Sequence, residues 1–365
     1  MPKKKDGGGD ERHRAELESP GEKEEEKDGE EVVIGMDGAR TGWVVAMLNL
    51  KNGKSKVFHI RSLERLEALL VEDNGYRVRC IAIDMPIGLA SRTERGGRPC
   101  DRAARFTLQE ARRSVGPPSS SKASKILSEG LQLVTDGAFT FSGRGPLVDL
   151  HTSFQAALEA FKAGATHKEV SLANMASAEE GAERQGLGLS IQTYHIMAKI
   201  NELDQILIPG GEGGNACLQG RSATPVLEAH PELAFLRLSK GQAMPTKKGQ
   251  QGRTRRFELL AGEMDLEALE LDLAASTWQL EELGEQDLTS KIRTAADDVL
   301  DALACAVVAL RWVHGEARVV LKGGEDMVRA GREDGSLTGK RHKKEERHNA
   351  NTDERGLPMN IWACK

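Results

Sequence analysis

A single mixed α/β sheet, five strands with helices on both faces, is the fold class this sequence predicts. Three observations carry it. Short runs of Val, Ile and Leu at Val32–Asp37, Arg79–Asp84 and Thr224–Ala229 read as buried strands. Two more apolar segments, Trp43–Leu50 and Lys56–Ile60, follow the first run at hairpin spacing. Thr294–Val313 is a long apolar helix whose many alanines permit close packing on a sheet.

In chain order, residues 1–31 are Gly, Glu and Lys with almost nothing apolar, which predicts a disordered tail. Val32–Asp37 is the first strand, and a turn containing Gly38 and Gly42 leads into the second at Trp43–Leu50. Asn52-Gly53 is a hairpin signal before the third strand, Lys56–Ile60. Ser62 caps a helix carrying Leu63, Leu66, Leu69 and Leu70 on one face. The fourth strand, Arg79–Asp84, is stopped by Pro86 and Gly88, and a helix follows near Asp101–Arg113. Residues 114–152 are rich in Ser, Gly and Pro and read as a long loop or lid. Helices are expected at about 153–163 and 190–207, and Gly210–Gly214 reads as a flexible joint. Thr224–Ala229 is the fifth strand, and Pro231 opens a helix at its first position. Residues 252–262 read as helical, and Thr294–Val313 closes the domain at 32–321. Residues 322–355 read as a disordered insertion, and 356–365 as a C-terminal segment with a short edge strand at Met359–Ala363. There is no internal repeat.

Composition excludes several classes. No stretch approaches the roughly 20 apolar residues needed to span a bilayer, and the N-terminus, Met1-Pro2-Lys3-Lys4-Lys5, has no apolar region of the secretory kind. Five scattered cysteines without a Cys-x-x-Cys pair argue for a reducing compartment and against structural zinc. An intracellular protein, cytoplasmic or nuclear, is expected. The net charge of −5 lies entirely in residues 1–31, so the remaining chain is neutral. Two local excesses break that neutrality: residues 98–125 carry seven Lys/Arg against two acids, and 237–256 carry seven with no acid. Basic patches on a neutral body suit a polyanion.

Acids at strand ends are the chemical signal. Asp37 and Asp84 each end an apolar run, and burying a lone charge there is costly. A backbone-bonding turn aspartate is the alternative for both. Glu228 ends the fifth strand, either as a functional acid or as an arginine's partner, and His230 beside it is a minor candidate for a base. Asp298 and Asp301 are three apart in an otherwise apolar helix, and Asp297 and Asp301 are four apart, so acids project from one face. Helix-dipole preference explains Asp297 but not Asp301, which sits a turn later among Ala and Leu. Carboxylates gathered at strand ends repel unless a cation lies between them, and one or two divalent metal ions are the usual answer. Arg98, Arg102 and Arg105 share a helix face, and Lys247, Lys248 and Arg253 lie in the second basic run. Guanidinium forks suit phosphate oxygens. With aromatics at 4%, contact to a nucleic-acid backbone is favoured over base stacking.

Several ordered motifs together resemble a family of uncharacterised proteins predicted to be nucleases with a ribonuclease H-like fold. They are Gly35-Met36-Asp37-Gly38 with Gly42-Trp43-Val44-Val45-Ala46, Ile83-Asp84-Met85-Pro86, Arg98-x-x-Asp101, Gly188-Leu189-Ser190-Ile191-Gln192, Lys199-Ile200-x-Glu202, Glu228-x-His230-Pro231-Glu232 and Asp297-Asp298-x-x-Asp301-Ala302. The last is also similar to the end of the Holliday-junction resolvase site of that superfamily. The resemblance implies a Mg²⁺- or Mn²⁺-dependent nuclease in which Asp37 bridges two metals and Asp84, Glu228, Asp298 and Asp301 complete the shells. Arg98, Arg102, Arg105, Lys247, Lys248 and Arg253 would hold nucleic acid, DNA or RNA, and a homodimer is an open expectation. The chain departs from the resemblance at Ser114-Val115-Gly116, where an aromatic usually follows the Val. A phosphotransferase or ATPase of the actin and sugar-kinase type, and a binding protein that lost catalysis, stand as alternatives.

Overall fold

The computed structural model describes residues 29–66, 75–91, 98–114, 154–177, 188–207, 224–242, 244–284, 287–320, 326–328 and 361–364. Most of the tail expected at 1–31, the lid at 114–152 beyond Ser114, the Gly210–Gly214 joint and most of the 322–355 insertion lie outside these residues. So does the expected helix beyond Leu66.

The N-terminal apolar runs form an antiparallel meander of β1 (Glu30–Ala39), β2 (Gly42–Asn49) and β3 (Ser55–Ile60). On the other side of β1 lie β4 (Tyr76–Asp84) and then β5 (Val226–Ala229), both parallel to it. The fold is thus mixed α/β, but among the described residues the sheet has ten strands rather than the expected five. A hairpin of β6 (Thr277–Gly284) and β7 (Asp287–Ala295) extends it beyond β3. Past β5 come β8 (Ala317–Val320), β9 (Asp326–Val328) and β10 (Ile361–Cys364), giving the order β7-β6-β3-β2-β1-β4-β5-β10-β8-β9. The C-terminal strand is therefore interior, paired with β5 on one side and β8 on the other, and not the edge strand expected at 359–363.

Helices α1 (Pro99–Ser114), α2 (Phe154–Lys162), α3 (His167–Ala176) and α4 (Ile191–Leu207) precede β5. Helices α5 (Pro231–Leu238), α6 (Gln250–Ala261) and α7 (Ala296–Val313) follow it. Alternation along β1 sends Val32, Ile34 and Met36 into one core with α4, and Val33 into the other with α5 and α7. Asp37 has the parity of Val33, and Asp84 that of Cys80 and Ala82, so both turn toward the α7 face.

Gly35 explains how closely α7 lies on that face. A Cβ there would stand 2.0 Å from Ala306 N and 2.1 Å from Ala302 O. Glycine on the strand and alanines on the helix let the two backbones touch, which lowers the first turns of α7 over the ends of β1 and β4. Among the described residues, no helix is long and apolar enough to cross a membrane. Cys80, Cys100, Cys305 and Cys364 are buried and form no disulfide with one another.

Candidate functional site

Asp37 and Asp84 are register partners on the parallel strands β1 and β4. Asp301, one turn into α7, descends between them. Each of the three offers a carboxylate oxygen within 4.8 Å of the other two. They line a cavity of about 150 Å³ together with Asp298, Glu228, His230 and Lys247. Asp301 is 2% exposed; its Oδ2 accepts a hydrogen bond from Lys247 Nζ at 2.5 Å, while its Oδ1 is buried without a hydrogen-bond partner among the described residues.

Burial and mutual repulsion set the electrostatics. Burial pushes the Asp37 carboxyl well above the usual range, and Asp84, Asp301 and Asp298 add to it. Burial followed by Asp301 does the same to Asp84, with Lys247 pulling the other way. Asp298 is pushed up to about 7 by burial and by Asp297 and Asp301. Burial also raises Asp301, against the pull of Lys247. For Lys247, burial works to lower the pKa, but Asp301, by charge and hydrogen bond, raises it above its ordinary value. On the far side, Lys199 donates to Gly42 O and lies 4.8 Å above the Trp43 ring. Burial lowers its pKa against the attraction of Glu202 and Asp37.

Glu228 lines the same cavity but faces a different partner. Leu227 and Ala229 join the α7-side core, so alternation turns Glu228 to the other face of β5. There it accepts from Arg98 Nη1 at 2.8 Å, Arg98 Nη2 at 2.5 Å and Ile87 N at 2.7 Å. Arg98 also donates to Asp101 and to the carbonyls of Ile87 and Gly88, and its side chain has no exposure. Its expected role in holding substrate is therefore corrected: this guanidinium faces inward and ties Ile87 and Gly88, just beyond β4, to Asp101 of α1 and Glu228 of β5. Burial pushes Glu228 up to about 7, opposed by Arg98.

The second basic run also turns inward. Arg253 is 5% exposed and donates to the carbonyls of Leu273, Lys248 and Ala274, so it too leaves the expected substrate contacts. Arg256 donates to Pro245 O and to Glu232. Of the remaining expected contacts, Arg105 is 8% exposed, Arg102 is half-buried and Lys248 is exposed. The sequence placed Lys247 on the surface for nucleic acid, whereas the structure puts it in the acidic pocket. It likewise gave no signal for His230 beyond its neighbours. The imidazole is 5% exposed, neither ring nitrogen has a hydrogen-bond partner among the described residues, and burial lowers its pKa to about 4.

A family model described as "Protein of unknown function (DUF429)" matches residues 35–130 and 148–325. The chain belongs to the DUF429 family. Every carboxylate of the pocket, and Lys247, falls within the residues matched to DUF429, whereas β10 lies outside them. No curated protein and no solved structure matches the chain.

Proposed function

We propose that this DUF429 protein is a metal-dependent nuclease with a ribonuclease H-like architecture, hydrolysing phosphodiester bonds of nucleic acid with Mg²⁺ or Mn²⁺. The observation that carries this reading is the convergence of Asp37, Asp84 and Asp301 within 4.8 Å of one another. The donor set fits a hard divalent cation: all three ligands are carboxylate oxygens. The buried Oδ1 of Asp301 has no hydrogen-bond partner among the described residues, and an unsatisfied buried acceptor is expensive unless something occupies it.

When bound, such a cation lowers the pKa of a coordinated water and neutralises charge on a phosphoryl oxygen. Asp37, Asp84 and Asp301 would hold it, with Asp298 at the rim. The chain's own residues prepare the rest. Close packing of α7 on Gly35 holds Asp301 over the two strand-end acids. His230, neutral near pH 7, offers a ring nitrogen to a ligand in the cavity. Lys248 and Arg102 are the expected contacts that remain for a phosphate backbone. The kinase-type alternative has less support, because the described strands form one continuous sheet rather than two lobes.

The test is cleavage of a panel of labelled DNA, RNA, hybrid and branched substrates in Mn²⁺, with Asp84→Asn as control. Metal-dependent products absent from the variant are expected; products that persist in the variant, or none on any substrate, would overturn the reading.

A further inference from the structure

The loop that carries Lys247 is built to hold it still. It runs from Met244 to Gly249, ahead of α6, and three features of α6 clamp it. Arg253 donates to Lys248 O at 2.8 Å, and Arg256 donates to Pro245 O at 2.8 Å. A Cβ on Gly252 would stand 2.0 Å from Thr246 O, so only glycine lets helix and loop approach this closely. The Lys247 ammonium is consequently fixed at 2.5 Å from Asp301 Oδ2 and 4.0 Å from Asp297.

That position bears on the number of metal ions. In a two-metal centre the ions lie about 3.5–4 Å apart and share carboxylates. Asp301 has two oxygens: Lys247 takes Oδ2, which leaves Oδ1, buried and without a hydrogen-bond partner among the described residues, for an ion shared with Asp37 and Asp84. A second ion on Oδ2 would sit about 2.1 Å from an oxygen that already carries an ammonium. The buried imidazole of His230 on the same cavity wall, whose ring nitrogens have no hydrogen-bond partner among the described residues, is a second sign that the pocket accommodates a ligand.

We infer that Lys247 stands in the place of a second metal ion, so that the pocket binds one divalent cation per chain, held by Asp37, Asp84 and Asp301 Oδ1. The inference rests on the metal-dependent reading above and changes its form: a fixed ammonium, rather than a mobile ion, supplies the second positive charge beside the reacting phosphate. The chain thereby depends on one metal-binding equilibrium instead of two.

The experiment is a titration of the full chain with Mn²⁺ alone, following free Mn²⁺ by its electron paramagnetic resonance signal. Wild type, Lys247→Gln and Asp37→Asn are compared. One equivalent in wild type, two in Lys247→Gln and none in Asp37→Asn are expected. Two equivalents in wild type, or one in a folded Lys247→Gln, would overturn the substitution of lysine for metal while leaving the nuclease reading intact. Should Lys247→Gln fail to fold, the wild-type stoichiometry decides alone. No binding by wild type up to millimolar Mn²⁺, or equal binding by Asp37→Asn, would remove the metal site itself and both readings with it.

Discussion

Asp37 and Asp84 occupy the same register position on neighbouring parallel strands, so their side chains leave the sheet side by side on one face. Adjacent strands run about 4.8 Å apart, which sets two carboxylates within reach of one cation without any loop having to fold around it. The arrangement costs stability when no cation is present, because both charges are desolvated and each repels the other.

Asp298 makes that cost measurable as a function of pH. Its pKa rises from 3.8 to about 7 on folding, through burial first and then Asp297 and Asp301. Across that interval the native state binds more protons than the unfolded state, so stability falls as pH rises. Asp298→Asn removes this part of the fall. Melting in EDTA should show the variant gaining on wild type at pH 8 relative to pH 5. A difference that is the same at both pH values would mean that the Asp298 carboxyl is solvated and ordinary.

Gly35→Ala should be among the most damaging single substitutions in the chain. The new methyl meets backbone atoms of α7 at about 2 Å, and backbone cannot rotate away as a side chain can. Overpacking costs typically about 1–3 kcal/mol and more where backbone must shift. Urea denaturation should show a loss of at least that size, and the displaced α7 should weaken Mn²⁺ binding in whatever protein still folds. A variant as stable as wild type would mean that helix and strand do not touch here.

Arg98 tests whether the first basic cluster is structural. Arg98→Ala leaves Asp101 and Glu228 buried without the cation that both contact. Removing one member of a buried ion pair costs about 3–5 kcal/mol. Arg98→Lys restores the charge but not the forked donors that reach two acids and two carbonyls. It should recover only part of the loss in a denaturant titration. A surface arginine serving nucleic acid would leave stability unchanged in both variants.

The pocket's acids were legible because their chemistry conflicts with their setting. Asp37 and Asp84 end apolar strands, and Asp301 interrupts an apolar helix face, so a sequence pattern alone marks them as anomalous. The arginines were not legible for the opposite reason. Arg98, Arg253 and Arg256 look like surface charge in a polar stretch, and only long-range packing shows that their partners are Glu228, Leu273 and Glu232. Lys247 belongs with them: nothing local distinguishes it from Lys248, yet one is bonded to Asp301 and the other is exposed. Strands β6 and β7 escaped because only Trp278 and Leu280 mark the alternation before it fades into charged residues. β10 is four residues long, and its interior place depends on β5 and β8 rather than on its own sequence.

The most direct test of the central claim, that the Asp37–Asp84–Asp301 pocket is a divalent-metal site, is the melting temperature of wild type and Asp37→Asn with and without millimolar Mn²⁺. Binding to the native state alone adds RT ln(1 + [L]/Kd), about 2.7 kcal/mol at a hundredfold excess over Kd. Wild type should therefore melt several degrees higher with Mn²⁺. Asp37→Asn should lose most of that shift while melting no lower than wild type in EDTA, because it keeps the side-chain shape and removes a repelling charge. An Asp37→Asn protein that retains the full Mn²⁺ shift, or that collapses in EDTA, would contradict the claim and make Asp37 a structural residue of its turn.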